Sequence, residues 1–183
     1  RRIVGHEAIV NLPERYDLMI RSMKNDVEIF RKENIPLSVE QTKLVTEAQT
    51  INGAMSVEYE GNEYTIPEMR VFLESNERSV REGAWKAVAD RRLEDEERLS
   101  EIFDQLIVIR NEIAINAGFE TYTDYMFRAM ERFDYTKNDC LEFHDAIEAV
   151  CVPLMREINS RRINSLDLGS LRPWDVNEKT GVG

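Results

Sequence analysis

The residues of this chain best suited to chemistry lie in one stretch, RFDYTKNDCLEFHDAIEAV, followed at once by Cys151. The chain holds only two histidines and two cysteines. Cys140, His144 and Cys151 gather here with Glu148, and on a helix these four would recur at i, i+4, i+8 and i+11, along one face. Thiolate, imidazole and carboxylate are the ligand types of zinc, so a metal centre is the first chemistry to consider. Geometry opposes it. Cys140 and Cys151 would stand about 16 Å apart along the helix axis, whereas ligands sit about 2.0–2.3 Å from a zinc ion. One helix can supply two ligands, and the only other imidazole is His6. The Glu-x-x-His pattern of di-iron bundles is missing as well, because Leu141 stands where its glutamate would be. The same separation forbids a disulfide between the cysteines. The expectation is a buried or half-buried structural histidine at 144, with no catalytic, cofactor-binding or metal-ligating residue in the chain.

Near the amino terminus, GHEAIV offers His6-Glu7, the first half of His-Glu-x-x-His. Val10 occupies the place of the second histidine, so the near-match is a coincidence. No glycine-rich dinucleotide fingerprint, phosphate-binding loop, nucleophile elbow or Cys-x-x-Cys occurs.

Composition narrows the classes further. The 24 basic and 35 acidic residues give a net charge of −11, which argues against a nucleic-acid partner. No apolar run is long enough to span a membrane. Two cysteines make no disulfide framework and suit the cytoplasm. The first residues, Arg1-Arg2, include no initiator methionine, and both ends look cut.

The elements that would position any site are helical. Tyr16, Ile20, Met23, Val27 and Phe30 mark one helical face, with Pro13 near the start and Pro36 expected to end the helix. Ser38 and Gln41 form a capping-box pattern opening a second helix, which stops at Asn52-Gly53. MSVEYEGNEYTI then carries two β-prone runs, 56–59 and 63–66, joined through Gly61-Asn62 as a hairpin. Pro67 and Glu68 suit a helix start. From Asn76 to Ala117 there is no proline and one glycine, Gly83, so a single helix of about 40 residues and about 60 Å is expected. Leu99, Ile102, Phe103, Leu106, Ile109 and Ile113 line the face it would pack against the helices at 12–32 and 137–165. Its charged stretch ADRRLEDEERLSE reads as a solvated face with i, i+4 pairs. Gly118 is a natural stop. A short helix spans about 123–130, capped by Thr121 or Thr123. The last runs from after Thr136 to about Ser165, with Phe143, Ile147, Val150, Leu154 and Ile158 as its buried stripe and a kink expected at Pro153. The fold class is all-α: long antiparallel helices and one small β-hairpin near residues 55–66.

The order of these pieces resembles a known family. GAMSVEYEGNEYTIPEMRVFLESNERSVREGAWKAV is similar to the hairpin-then-helix passage of oligoendopeptidase F-type zinc metallopeptidases, relatives of thimet oligopeptidase. RNEIAINAGFETYTDYMF carries their Arg-x-x-x-Ala-x-x-x-Gly-Phe/Tyr pattern. RFDYTKNDCLEFHDAIEAVCVPL and LGSLRPWDV look like the stretch leading to the catalytic half. The resemblance covers nearly the whole chain, most clearly residues 53 to 176.

What the resemblance implies is an enzyme with a deep cleft between two halves, in which one zinc held by His-Glu-x-x-His and a downstream Glu hydrolyses short peptides. All those residues belong to the family's carboxy-terminal half, so none maps onto this chain. Residues 1–183 would be the amino-terminal, non-catalytic part, one wall of the substrate cleft and inactive alone. Its partners would be the catalytic domain of the same protein and an oligopeptide substrate. A stand-alone helical interaction module and an inactive homologue are the alternatives. SLRPWDV places Leu171, Pro173, Trp174 and Val176 outside any periodic pattern, so an exposed cluster is expected there that docks on the catalytic half or on a second copy.

Overall fold

A computed structural model of the chain describes residues Leu12 to Val176. Their elements are α1 (Asp17–Ile29), α2 (Asn34–Gly53), β1 (Ser56–Tyr59), β2 (Asn62–Thr65), α3 (Arg70–Leu73), α4 (Arg78–Leu93), α5 (Glu96–Ala117), α6 (Tyr122–Ala129) and α7 (Lys137–Ser165). The fold is all-α with one small antiparallel hairpin. It divides into two compact units. One comprises the described residues up to Val45 with Phe103–His144; the other comprises Thr46–Ile102 with the described residues from Asp145 onward.

Several boundaries differ from the sequence expectation. α1 stops at Ile29 because Phe30 turns extended, and Pro36 does not end it. Pro36 instead lies in the first turn of α2, where a missing N–H costs nothing. Ser38 is therefore inside α2, its carbonyl accepting the Thr42 hydroxyl at 2.8 Å, and the Ser38–Gln41 capping box does not form.

The expected 40-residue helix is two helices, broken at Glu94–Asp95. The charged stretch itself explains the break. Arg91 and Arg92 close α4, and Glu96 and Glu97 open α5, so each set of charges complements its own helix dipole. Arg91 spans the joint by donating to Asp95 at 2.6 Å. Along α5, Ile102, Leu106 and Ile113 are buried, while Phe103 is 59% exposed.

In the unit containing the hairpin, Val57, Met69 and Ala84 form the core, with Tyr59, Tyr64, Ile66, Phe72 and Leu73 packed around them. The strands pair as Ser56↔Thr65 through Tyr59↔Asn62. This register moves the turn to Glu60-Gly61, one residue earlier than the sequence suggests. Both turn residues have positive φ, 50° and 79°, as a type I′ turn demands.

In the other unit α1 packs on α6. Thr121 caps α6 by accepting the Asp124 N–H. Thr136 and Asp139 go further at the start of α7 and exchange reciprocal bonds, Thr136 N–H to the carboxylate at 2.6 Å and Asp139 N–H to the hydroxyl at 3.3 Å.

α7 departs most from expectation. None of its 29 residues is buried. Phe143, Ile147, Val150, Leu154 and Ile158 are all exposed. Besides Cys140 in the first turn, the half-buried positions are Val152, Asn159, Arg162 and Ile163, these four on a different face. Pro153 is accommodated within the continuous helix.

Candidate functional site

Of the four residues singled out for zinc, Cys140 is half-buried, and His144, Glu148 and Cys151 are exposed along α7. His144 is thus not the buried or half-buried structural histidine expected. His6 lies outside the described residues. Among the described residues no three His, Cys, Asp or Glu side chains gather where they could hold a metal ion. The zinc that the resemblance implies therefore does not fit the residues described.

What the chain does assemble is two polar networks. In the hairpin-containing unit, Asp175 is fully buried. Arg78 grips it with two prongs, Nε to Oδ1 at 2.9 Å and Nη2 to Oδ2 at 3.0 Å. The Arg172 N–H donates to Oδ2 at 2.9 Å, and Arg81 approaches Oδ1 at 3.4 Å. These hydrogen bonds, Arg78 first, hold the Asp175 carboxyl below the usual carboxylate range despite its burial. Arg81, 2% exposed, also donates to the carbonyls of Ser75, Asn76 and Trp174. Its donors thereby find partners in a place where an unpaired charge would be costly.

This network corrects the reading of SLRPWDV as a free cluster. Trp174 packs on Trp85 with ring centroids 5.6 Å apart, and Lys86 lies over the Trp174 ring at 5.6 Å. Pro173 and Val176 alone of the four stay exposed.

The second network closes helix ends in the other unit. Asn34 donates to the Ile113 carbonyl at 3.0 Å and accepts from Asn116 at 2.9 Å. Arg31 donates to the Ala117 carbonyl at 3.2 Å. The last turn of α5 thus has partners for carbonyls that helix geometry leaves open, and a cation at its negative dipole end. Gly118, at φ 89°, lets the Phe119 N–H return to the Ala114 carbonyl at 2.9 Å. Phe119 then meets Tyr125 edge-on at 5.7 Å, while the Arg110 guanidinium lies 5.6 Å over Tyr122. The Arg-x-x-x-Ala-x-x-x-Gly-Phe pattern is the specification of this helix end. Nearby, buried Asn25 exchanges bonds with Arg128, accepting at 2.7 Å and donating at 2.8 Å, and so fixes α1 to α6.

The same unit carries an open groove of about 700 Å3, lined in part by Phe30, Ile35, Val39 and Tyr125. Burial, and then the neighbouring Tyr122, push the Tyr125 phenol up. A protonated phenol in an apolar groove can donate a hydrogen bond but supplies no base or nucleophile at neutral pH. Binding and scaffolding are what these arrangements can do.

Comparison with known proteins gives this architecture its place. The model of peptidase family M3 matches residues 71–181, more than half the chain, and the chain belongs to that family. No curated protein matches it. Three solved structures share its fold. A protein provisionally named oligoendopeptidase F from Bacillus anthracis strain Ames has 22% identity and a TM-score of 0.90 over 96% of this chain and 32% of its own. Another provisionally named oligoendopeptidase F has 20% identity and a TM-score of 0.92 over 97% and 32%. PZ peptidase A, solved with an inhibitor, has 23% identity and a TM-score of 0.91 over 96% and 31%. At such identities the likeness concerns the fold alone. The chain spans about a third of the length of each.

Proposed function

We propose that this chain is the amino-terminal, non-catalytic part of a zinc-dependent oligopeptidase that cleaves short peptides, and that it forms one wall of the substrate cleft. The match to peptidase family M3 over residues 71–181 carries this reading. The length relation supports it, since the same fold fills only a third of the solved chains. In this reading the His-Glu-x-x-His motif, its zinc and the hydrolytic step belong to a catalytic domain that follows Gly183. The residues described here bind, position and stabilise. A helical wall facing a second domain makes a channel that an extended oligopeptide enters and a folded protein does not.

No helix among the described residues is long and apolar enough to cross a membrane. Cys140 and Cys151 are both free thiols, which suits the reducing cytoplasm we assign to the enzyme.

The test is to read the coding sequence past Gly183 and assay the encoded protein, supplied with zinc, on short quenched peptides and on casein beside the 183-residue chain. Cleavage of the peptides by the longer protein alone is the expected result. Activity in the 183-residue chain would overturn the division of roles. A longer protein inert on every peptide would favour an inactive homologue, and a stop codon directly after Gly183 a stand-alone module.

A further inference from the structure

The outward face of α7 is the least expected feature of the chain. Ile147, Val150, Cys151, Leu154 and Ile158 follow one another at i, i+3, i+4, i+7 and i+11, a single apolar stripe about 16 Å long. All five are exposed, Val150 to 68% and Leu154 to 56%. α7 already half-buries a different face, through Val152, Asn159 and Ile163. The helix is therefore covered on one side and bare on the side that its sequence makes more apolar. Continuous apolar stripes of this kind mark surfaces that are covered in the working protein.

We infer that this stripe is the seat of the chain segment that follows Gly183, so that α7 is a buried central helix in the longer protein. The inference rests on the reading proposed above, in which the chain continues. Two observations favour this occupant over a second copy. The same fold, matched over 96–97% of this chain, occupies only 31–32% of the solved chains, so a continuation of that kind would bring about twice this much additional protein. The stripe also falls inside the family-matched stretch 71–181. An apolar segment, not a charged one, fits the stripe, because four of its five side chains are aliphatic.

Cys151 is a native reporter at the centre of the stripe. In a Cys140→Ser background it is the sole thiol of residues 1–183, and its alkylation rate, read on its own peptide by mass spectrometry, follows its accessibility. The 183-residue chain should react at close to the rate of a free thiol, and the longer protein at least about tenfold more slowly. Val150→Lys should leave the melting temperature of the 183-residue chain unchanged and lower that of the longer protein. Equal alkylation rates in the two proteins would overturn the inference even if the longer one cleaves peptides. Protection of Cys151 in a longer protein that cleaves nothing would uphold the seat and refute the peptidase reading. A reading frame that ends at Gly183, or protection in the short chain that vanishes on dilution, would overturn the inference, the latter in favour of a second copy.

Discussion

Asp175 and Arg78, 97 residues apart in sequence, meet in a two-pronged ion pair with both contacts at or below 3.0 Å. Arg81 stands behind the same carboxylate, itself almost wholly buried. The pair ties the segment after α7 to α4, so the last described residues are anchored rather than trailing. Removing the carboxylate strands a buried guanidinium, which is the expensive way to break an ion pair. Asp175→Asn should therefore cost about 3 kcal/mol at neutral pH.

The same pair predicts a pH dependence. The Asp175 carboxyl is depressed below its ordinary value in the folded chain, chiefly by Arg78. Its contribution is thus complete above the unfolded value near about pH 4 and is lost as pH falls through the folded value. Asp124 and Asp139, depressed by their Thr121 and Thr136 hydrogen bonds, titrate in the same direction. They do so equally in the variant and cancel in the difference. Urea midpoints measured downward from neutral pH should therefore converge for wild type and Asp175→Asn in acid. Parallel curves would mean that Asp175 is not the group being titrated.

Gly83 lies inside α4, where alanine would ordinarily gain about 1 kcal/mol. A Cβ there would meet the Tyr59 hydroxyl oxygen at 3.0 Å. That oxygen cannot easily yield, because the hydroxyl donates to the Val80 carbonyl at 3.1 Å and the ring is wedged edge-on against Phe72. Gly83→Ala should destabilise the wild type by about 1 kcal/mol and stabilise a Tyr59→Phe background. A double-mutant cycle in urea measures the coupling. Alanine that stabilises both backgrounds equally would show that the contact exerts no strain.

The all-α class, the hairpin and the family were legible in the sequence because each leaves a local mark: apolar period, Gly-containing turn, ordered motifs. The break between α4 and α5 was not, since neither glycine nor proline signals it and the charges that end one helix and begin the next look like a solvated face. Pro36 misled because proline stops a helix it would interrupt but suits one it begins. The stripe of α7 was found, yet its burial was not, because amphipathicity says which face seeks cover and not whether the cover is present. The ion pair of Asp175 left no periodic signal, being a meeting of residues far apart in the chain. The expectation of a buried or half-buried His144 fails because spacing does not fix the rotation of a helix about its axis, and His144 is exposed.

The hairpin turn gives a further prediction. Glu60 sits at φ 50°, a region that disfavours most side chains but tolerates asparagine and glycine. Asn-Gly is the preferred sequence of a type I′ turn, and Glu60 is exposed. Glu60→Asn should accordingly raise stability by about 0.5–1 kcal/mol, and a β-branched residue there should lower it. Thermal melts of Glu60→Asn and Glu60→Val against wild type check the order. An unchanged or reversed order would place the turn elsewhere.

Leu106 and Phe103 belong to one apolar face by sequence, yet Leu106 is 7% exposed and Phe103 59%. Aspartate carries a similar helix-propensity cost at both positions of α5, so the difference between the two variants isolates burial. Leu106→Asp places an unpaired carboxylate in the core and should cost about 3 kcal/mol or more. Phe103→Asp should change stability by no more than about 0.5–1 kcal/mol, mostly through propensity. Urea denaturation of the 183-residue chain gives both values. Equal losses would mean that the buried face of α5 is wider than the structure places it. A small loss for both would mean that the helix is not packed at Leu106 at all.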